Sequence, residues 1–438
     1  MSRGLTRREV LRGAAGALAA AAVGGCGRSV GATEVAVVWS GSELDKFRRV
    51  LSGYERESGR SVLVLSAGDD IDALLRARQR AGTSPDVAIL PRPGLIASYV
   101  AEGWLAPMEP RVVARLPAVW NALLQFGDSA VYGAWVKAAH KSLFWYLPSL
   151  VEGELQTVDP TWEQLVRFVR RQAAGQGPAP LAIGAADGWV LTDWLENLLA
   201  AIDDDPESNL HEDLAAGQPR WGAAVVREAF GELARVWSVP GAFPGGGRRA
   251  LLTQFDASVI QVTDREAVMT CEGDFVADVA GRFPPEGDPE GLVTFGFPAV
   301  GDRQPVVVGG DAAVVLHDSP AGHELVEWLT RPESFRPWLQ DGGFLSPNGQ
   351  VTADDYPPGF TRSLVPEIQS PTLRFDLSDR LPGVFSGRDG VGSWLVLQDF
   401  FADVTVSPPD VTGAIDRAVG RLNEAARRAR AELADADG

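Results

Sequence analysis

Cysteine, histidine and positive charge are all scarce in this 438-residue chain, and each scarcity removes a class of function. There are two cysteines, Cys26 and Cys271, and Cys26 closes an N-terminal segment that reads as a signal. Only Cys271 is left in the body, so no intramolecular disulfide forms there and the fold stands on packing. Cys271 ends the apolar run Ala267-Val268-Met269-Thr270-Cys271 and reads as a small buried hydrophobe, not a nucleophile. Four histidines lie in scattered contexts, and the chain has no His-Glu-x-x-His, no nucleophile elbow and no phosphate-cradling Gly-x-x-x-x-Gly-Lys. Asp203-Asp204-Asp205 lacks the alternation of a calcium loop and reads as a solvated turn. No cofactor and no metal are expected. The net charge of −18 repels phosphate backbones and anionic headgroups, which argues against a nucleic-acid partner.

Long apolar runs are missing too: the uncharged stretch 13–25 is too short to cross a bilayer. What stands there is a basic segment (Thr6-Arg7-Arg8-Glu9-Val10-Leu11-Arg12), a short Ala/Gly run and Val23-Gly24-Gly25-Cys26. That order is a secretory signal. The twin arginine resembles a signal for export of folded proteins, and Val-Gly-Gly-Cys resembles a lipobox at which Cys26 is lipidated. Residues 1–25 are therefore expected to be removed and 26–33 to form a tether. The expected location is the outer face of a bacterial cell membrane, held by lipid on Cys26, because the acidic body (−21 without the first 25 residues) gives no electrostatic hold on anionic lipid.

Beyond the tether, strands at 34–39, 61–65 and 86–90 alternate with amphipathic helices at 44–59 and 71–81. A second α/β unit follows 141: Thr161-Trp162-Glu163-Gln164 fits a capping box opening a helix to 172, with a strand at 181–184 and a helix at 192–201. Loops are expected at 203–207, 245–247 and 284–291, a strand at 306–316, helices at 321–329 and 333–340, and a one-faced helix at 411–434. The length fits two domains. In such sheets ligands sit beyond the carboxyl ends of the strands.

Several segments then resemble, in order, the carbohydrate-type extracellular solute-binding proteins of ABC transporters, the family that includes maltose-binding protein. They are Glu55-Arg56-Glu57-Ser58-Gly59, Ser84-Pro85-Asp86-Val87, Gly103-Trp104-Leu105-Ala106-Pro107-Met108, Val131-Tyr132-Gly133 and Ser142-Leu143-Phe144-Trp145-Tyr146. Thr161 to Leu165, Phe295-Gly296-Phe297-Pro298, Gly309-Gly310-Asp311 and 342–348 complete the set. The resemblance implies a two-lobe, type II periplasmic-binding-protein-like α/β fold, each lobe a mostly parallel sheet flanked by helices, closing on a cleft by hinge motion. Crossings are expected near 140–143 and 297–303, with 34–140 plus 300–345 as lobe 1 and 141–299 plus 346–438 as lobe 2. A monomer that passes ligand to permease subunits is implied.

Sugars need hydrogen-bonding groups for hydroxyl edges and aromatic planes for ring faces. The chain has 13 Trp against 5 Tyr. By the family pattern Trp189, on a loop before a helix, Trp394 and Phe275 are expected at the cleft, Phe275 standing where maltose-type members usually carry Trp. For polar contacts the candidates are Ser42, Glu43 and Asp69 on first-lobe strand ends, Arg92 after the third strand, and His140 and Lys141 at the crossing. Asp193 and Glu196 lie one turn apart just behind Trp189, and Glu272, Asp311, Asp379 and Arg380 come from segments resembling cleft loops. The rival readings are an exported glycan-processing enzyme, a surface adhesion or signalling module, and a receptor for a glycerophosphodiester or other polar solute.

Overall fold

The computed structural model describes residues 32–436 apart from 128, 152–154, 156–159, 204, 206–207, 286–290, 371–373, 383–384, 386–391 and 407. The expected export signal with Cys26, most of the tether, and parts of the expected loops at 203–207 and 284–291 lie outside the described residues.

The chain opens with β1 (Thr33–Val37), α1 (Gly41–Ser58), β2 (Val62–Ser66), α2 (Ile71–Arg80), β3 (Val87–Leu90) and α3 (Pro93–Ala101). α1 turns Phe47, Val50, Leu51 and Tyr54 inward and ends at Gly59, whose φ of 71° is the left-handed cap that glycine adopts without strain. Short strands β4 (Leu105–Ala106), β5 (Gln125–Phe126) and β6 (Ala130–Val131) lead to β7 (Ala134–His140). Two residues later β8 (Leu143–Tyr146) starts in a different sheet.

That second sheet takes β9 (Ala179–Ala182), β10 (Ala267–Glu272) and β11 (Val293–Gly296) in the order β11-β8-β10-β9. Between them run α4 (Trp162–Ala173), α5 (Gly188–Ile202), α6 (Ala224–Trp237), α7 (Phe255–Thr263) and α8 (Val276–Ala280). α4 is opened by the expected capping box: the Thr161 hydroxyl accepts from Gln164 N–H at 3.3 Å, and the Gln164 side chain accepts from Thr161 N–H at 2.7 Å. Its buried Trp162, Leu165, Val166, Phe168 and Val169 fall on one face, at about 1.5–3 kcal/mol for each fully buried large side chain.

The chain returns to the first sheet with β12 (Val307–Leu316), followed by α9 (Pro320–Leu329), α10 (Arg336–Asp341), α11 (Phe360–Ile368) and β13 (Arg374–Phe375). It then leaves again with α12 (Leu377–Arg380), α13 (Ser393–Thr405) and α14 (Val411–Ala436). Two hydrophobic cores result, one under each sheet.

Two expectations need correction. The sheets are mixed, not mostly parallel: β1 pairs parallel with β2 and β3, whereas β12 runs antiparallel to β3, β4 and β7, and β8 runs antiparallel to β10 and β11. A strand that re-enters from the other lobe starts at the crossing end of the sheet, so it runs against the strands that finish there. Second, residues 346–375 do not join lobe 2. Val351, Tyr356, Leu364, Val365, Ile368 and Phe375 pack in the first core and β13 pairs with β12, whereas Leu377 onward packs in the second. The boundary expected after 345 therefore moves to about 376, where the chain makes its third crossing.

The lobes are drawn together. Val276 and Val279 of α8 sit in the first-lobe core, and the Lys46 ammonium of α1 pairs with Asp278 of α8 and donates to the Gly342 carbonyl at 2.9 Å.

Candidate functional site

Between the two sheets lies a cavity of about 400 Å³. The first lobe lines it from strand ends: Trp39 and Ser40 after β1, Glu43 in the first turn of α1, Arg92 after β3, Lys137 and Ala139 on β7, Gly310 and Asp311 on β12. The second lobe contributes Asp187 and Trp189 at the start of α5, Gln254 to Asp256 at the start of α7, Phe275 beside α8, and Trp394 at the start of α13. Lys141 and Asp379 come from the crossings.

Two ionic groups organise the walls. On the first lobe, Lys137 Nζ lies 3.0 Å from Glu43 Oε1, and Trp39 Nε1–H donates to Asp311 Oδ2 at 2.9 Å. Lys137 is only 4% exposed, and burial works against its charge, but Glu43, Asp311 and Asp274 surround it and hold it protonated. Burial pushes Asp311 up to about 6, with Glu43 adding to the shift and Lys137 opposing it. At the crossings, the Lys141 ammonium pairs with Asp376, with Asp379 Oδ2 at 3.3 Å and with Asp193 Oδ1 at 3.5 Å. Burial and the neighbouring Asp376 push Asp379 up to about 7.

The second-lobe wall is aromatic. Trp189 meets Phe255 and Phe275 at ring separations of 5.6 and 5.8 Å, and Phe255 meets Phe275 at 5.7 Å. The Arg92 guanidinium lies 5.5 Å from the Trp394 ring and Lys141 Nζ 5.9 Å from the Trp189 ring. Rings on one side and ionised donors and acceptors on the other form a surface suited to a polyhydroxylated ring with distinct faces and edges.

Of the residues singled out from sequence, the structure brings Glu43, Arg92, Lys141, Trp189, Phe275, Asp311, Asp379 and Trp394 to the cavity. Others it turns elsewhere. Ser42 is displaced because the helix already starts at Gly41, which leaves Ser40 on the wall. His140 is buried in β7 with Nε2 3.0 Å from Glu367. Asp193 and Glu196 point into the lobe-2 interior, Glu196 accepting the N–H groups of Leu377 and Ser378. Glu272 is 1% exposed, and neither of its oxygens has a hydrogen-bond partner among the described residues. Burial and Asp193 raise it well above the usual carboxylate range. Arg380 leaves the cavity for a bidentate pair with Glu212 at 2.8 and 2.6 Å. Asp69 lies in a short 3-10 turn whose Gly68 lines the cavity, and its side chain is outside the described set. Trp189 is not on a loop: α5 starts at Gly188, and the ring stands on its first turn.

The sequence reading missed Trp39, Lys137, Asp187, Gln254, Phe255 and Asp256. A signal existed for one of them: Lys137 interrupts the apolar strand Ala134-Trp135-Val136-Lys137-Ala138-Ala139, and a lysine there must be paired. Residues 254–256 carry no local signal, since only the tertiary fold brings the start of α7 to the cleft.

A family model described as bacterial extracellular solute-binding protein matches residues 62–334. The chain belongs to that family. This solute-binding protein is 28% identical over 363 residues to the osmoprotective compounds-binding protein of Synechocystis sp., covering 79% of this chain and 83% of that one. It is 29% identical over 409 residues to the alpha-glucosides-binding periplasmic protein of Rhizobium meliloti, covering 87% and 85%. Solved structures share its two-lobe fold. A bacterial solute receptor with an exclusive preference for β-D-galactopyranose superimposes with a TM-score of 0.73 at 14% identity, covering 91% of this chain and 99% of that one. The maltotriose-binding protein of Thermus thermophilus, bound to maltotriose, gives 0.67 at 14% identity, covering 90% and 99%. Among the described residues no helix is long and apolar enough to cross a membrane.

Proposed function

We propose that this solute-binding protein captures a neutral mono- or disaccharide-sized sugar outside the cell and hands it to the permease subunits of an ABC importer, tethered meanwhile by lipid on Cys26. It breaks no bond itself. The observation that carries the reading is the cavity between the lobes, with Trp189, Phe275 and Trp394 on one wall and Glu43, Lys137 and Asp311 on the other. At about 400 Å³ it lies near the small end of the roughly 300–1,000 Å³ range of small-molecule sites, which favours a short glycan over a long one. An anionic ligand is less well served. Lys137 is neutralised by Glu43, and Lys141 by Asp376 and Asp379, so a phosphodiester would have to displace a carboxylate from either lysine. The relatives whose names specify alpha-glucosides and β-D-galactopyranose point the same way.

A thermal-shift screen over a sugar panel tests this. A sugar at 100 times its dissociation constant adds roughly 2.7 kcal/mol of stability. With that sugar, Trp189→Ala is expected to weaken binding about 10- to 100-fold, which corresponds to about 1.4–2.8 kcal/mol. Incubating the pure protein with the same sugar should yield no product. Stabilisation by glycerophosphodiesters and by none of the sugars would overturn the reading.

A further inference from the structure

The three chain passages that join the lobes meet at one ammonium. Lys141 belongs to the first passage, between β7 and β8, Asp376 to the third, between β13 and α12, and Asp379 to α12 itself, where that passage ends. Asp193 reaches the same Nζ from α5 of the second lobe. Backbone hydrogen bonds lace the passages around it: Lys141 N–H donates to the Val307 carbonyl at 2.9 Å, Phe297 N–H to Ser142 at 2.8 Å, and Asp376 N–H to Val308 at 2.8 Å. Ser142 extends the lacing, since its hydroxyl accepts from Val307 N–H at 2.7 Å and bonds the Asn197 side chain, whose amide donates to the Lys141 carbonyl at 3.0 Å. Every route by which one lobe can rotate against the other passes this cluster.

We propose that Lys141 is the hinge pin of this receptor and that Asp376 is the positioning residue that holds its ammonium against Asp379, so that the charge on Asp379 sets the balance between closed and open lobes. The inference rests on the two-lobe receptor reading but needs no particular ligand. Asp376 is fully buried and does not reach the cavity, whereas Lys141 and Asp379 line it. In this structure Asp379 is faced by Asp376 and Lys141 from the crossings and by Arg92 from the first lobe. Asp193 and Glu196 on α5 face Asp376 and the same ammonium, burial raising both above the ordinary carboxylate range, and Glu272, raised likewise, lies behind them near Asp193 and Asp187. On the outer side Arg380 is taken by Glu212, beside His211 and Arg374. Asp379 is buried beside Asp376 and shares one ammonium with it, so an ionised Asp379 is better placed in water, and opening the lobes admits water to its wall of the cavity. Closure of the unliganded protein therefore takes up a proton at Asp379. The lobes are expected to be more closed near pH 6 than near pH 8, since burial with Asp376 holds that carboxyl at about 7.

The test is small-angle scattering of the ligand-free full chain across pH 5–9, with wild type, Asp376→Asn and Gly309→Ala. The Asp376→Asn change keeps Oδ1, which accepts the Asp379 N–H at 2.9 Å and the Ser378 hydroxyl at 2.8 Å, and removes the charge together with the Oδ2 acceptor of the Lys141 ammonium. The Gly309→Ala change places a Cβ 2.7 Å from Lys141 Cε, moving the ammonium without altering any charge. Wild type should expand with a midpoint near 7. The midpoint should fall in Asp376→Asn, which loses a negative neighbour of Asp379, and should leave the wild-type value in Gly309→Ala, which displaces the cation. A displaced midpoint with unchanged radii at the two pH extremes is what a packing role alone does not produce. If one variant fails to fold, the displacement in the other still decides. A pH-independent radius in wild type, or variants that keep its midpoint, would overturn the proposal. Sugar binding in the thermal-shift screen is judged separately, so either reading can fail alone.

Discussion

Gly188→Ala tests whether the aromatic wall is set by backbone contact between two helices. A Cβ on Gly188 would lie 2.4 Å from Trp394 Cβ and 3.0 Å from its Cα and Cγ. Carbon atoms settle at about 3.5–4.0 Å, so more than an ångström must open. Neither partner is a flexible chain end: Gly188 starts α5, and Trp394 stands at the start of α13, which the second core holds through Val396, Leu397, Phe400 and Phe401. The start of α13 must therefore move, at the roughly 1–3 kcal/mol typical of overpacking. Trp394 carries the Arg92 guanidinium at 5.5 Å and lines the cavity, so the displacement reaches both walls of the site. The expected result is a melting point lowered by a few degrees and sugar affinity lowered at least 10-fold, read by calorimetric melting and by isothermal titration with the strongest hit of the sugar panel. A variant with wild-type melting and wild-type affinity would refute the contact argument.

Gly231→Ala in α6 and Gly420→Ala in α14 are the reverse case, because a Cβ at either position meets nothing within 4 Å. Each should stabilise by about 0.5–1 kcal/mol in denaturant melts, and destabilisation by either would contradict the open space there. Lys46→Met removes the cation that pairs with Asp278 across the lobes, leaving a carboxylate whose Oδ2 has no other hydrogen-bond partner among the described residues. Scattering should then report a more open unliganded protein, and an unchanged radius would deny the pair a role in closure. Stability should also depend on pH. Asp311 at about 6 and Asp379 at about 7 both lie above the ordinary 3.8, so folding binds protons there, and that stability is present at low pH and lost as pH rises through 6 and 7. His211, lowered to about 4 from 6.5 by burial, acts oppositely: its contribution is present above 6.5 and lost as pH falls towards 4. Two carboxyls outweigh one histidine, so these groups should make the melting point lower at pH 7 than at pH 5, and a steady rise from pH 5 to 8 would count against the two carboxyl assignments.

What could be read from the sequence tracks how local its cause is. Thr161 and Gln164 announce the start of α4 because a capping box is made by four consecutive residues, and it formed as expected. Gly59 likewise ends α1 by its own φ preference. Strand direction is a different matter. The antiparallel placement of β12 depends on the chain having crossed to the other lobe and back, and the composition of Val307–Leu316 is apolar whichever way it runs. The same holds for residues 346–375: their apolar side chains declare burial but not which of two cores receives them.

The site divides along that line. Glu43 and Arg92 were legible because strand ends of an α/β sheet converge on one edge, so a charged residue just past such a strand has a predictable address, whereas Asp311 was marked only by the resemblance of Gly309-Gly310-Asp311 to a cleft segment. Asp193 and Glu272 looked equivalent to them by residue type, yet they face the interior. One turn of helix separates Trp189 from Asp193, and on an α-helix that spacing keeps both near one face while moving the second a turn deeper, here from the cavity to the buried ammonium of Lys141. Asp193, over-assigned to ligand contact, thus belongs to the hinge cation, whereas Glu272 lies in the buried layer behind it. Burial first and Asp376 second raise Asp379, and that couples the charge of the cavity wall to the angle between the lobes.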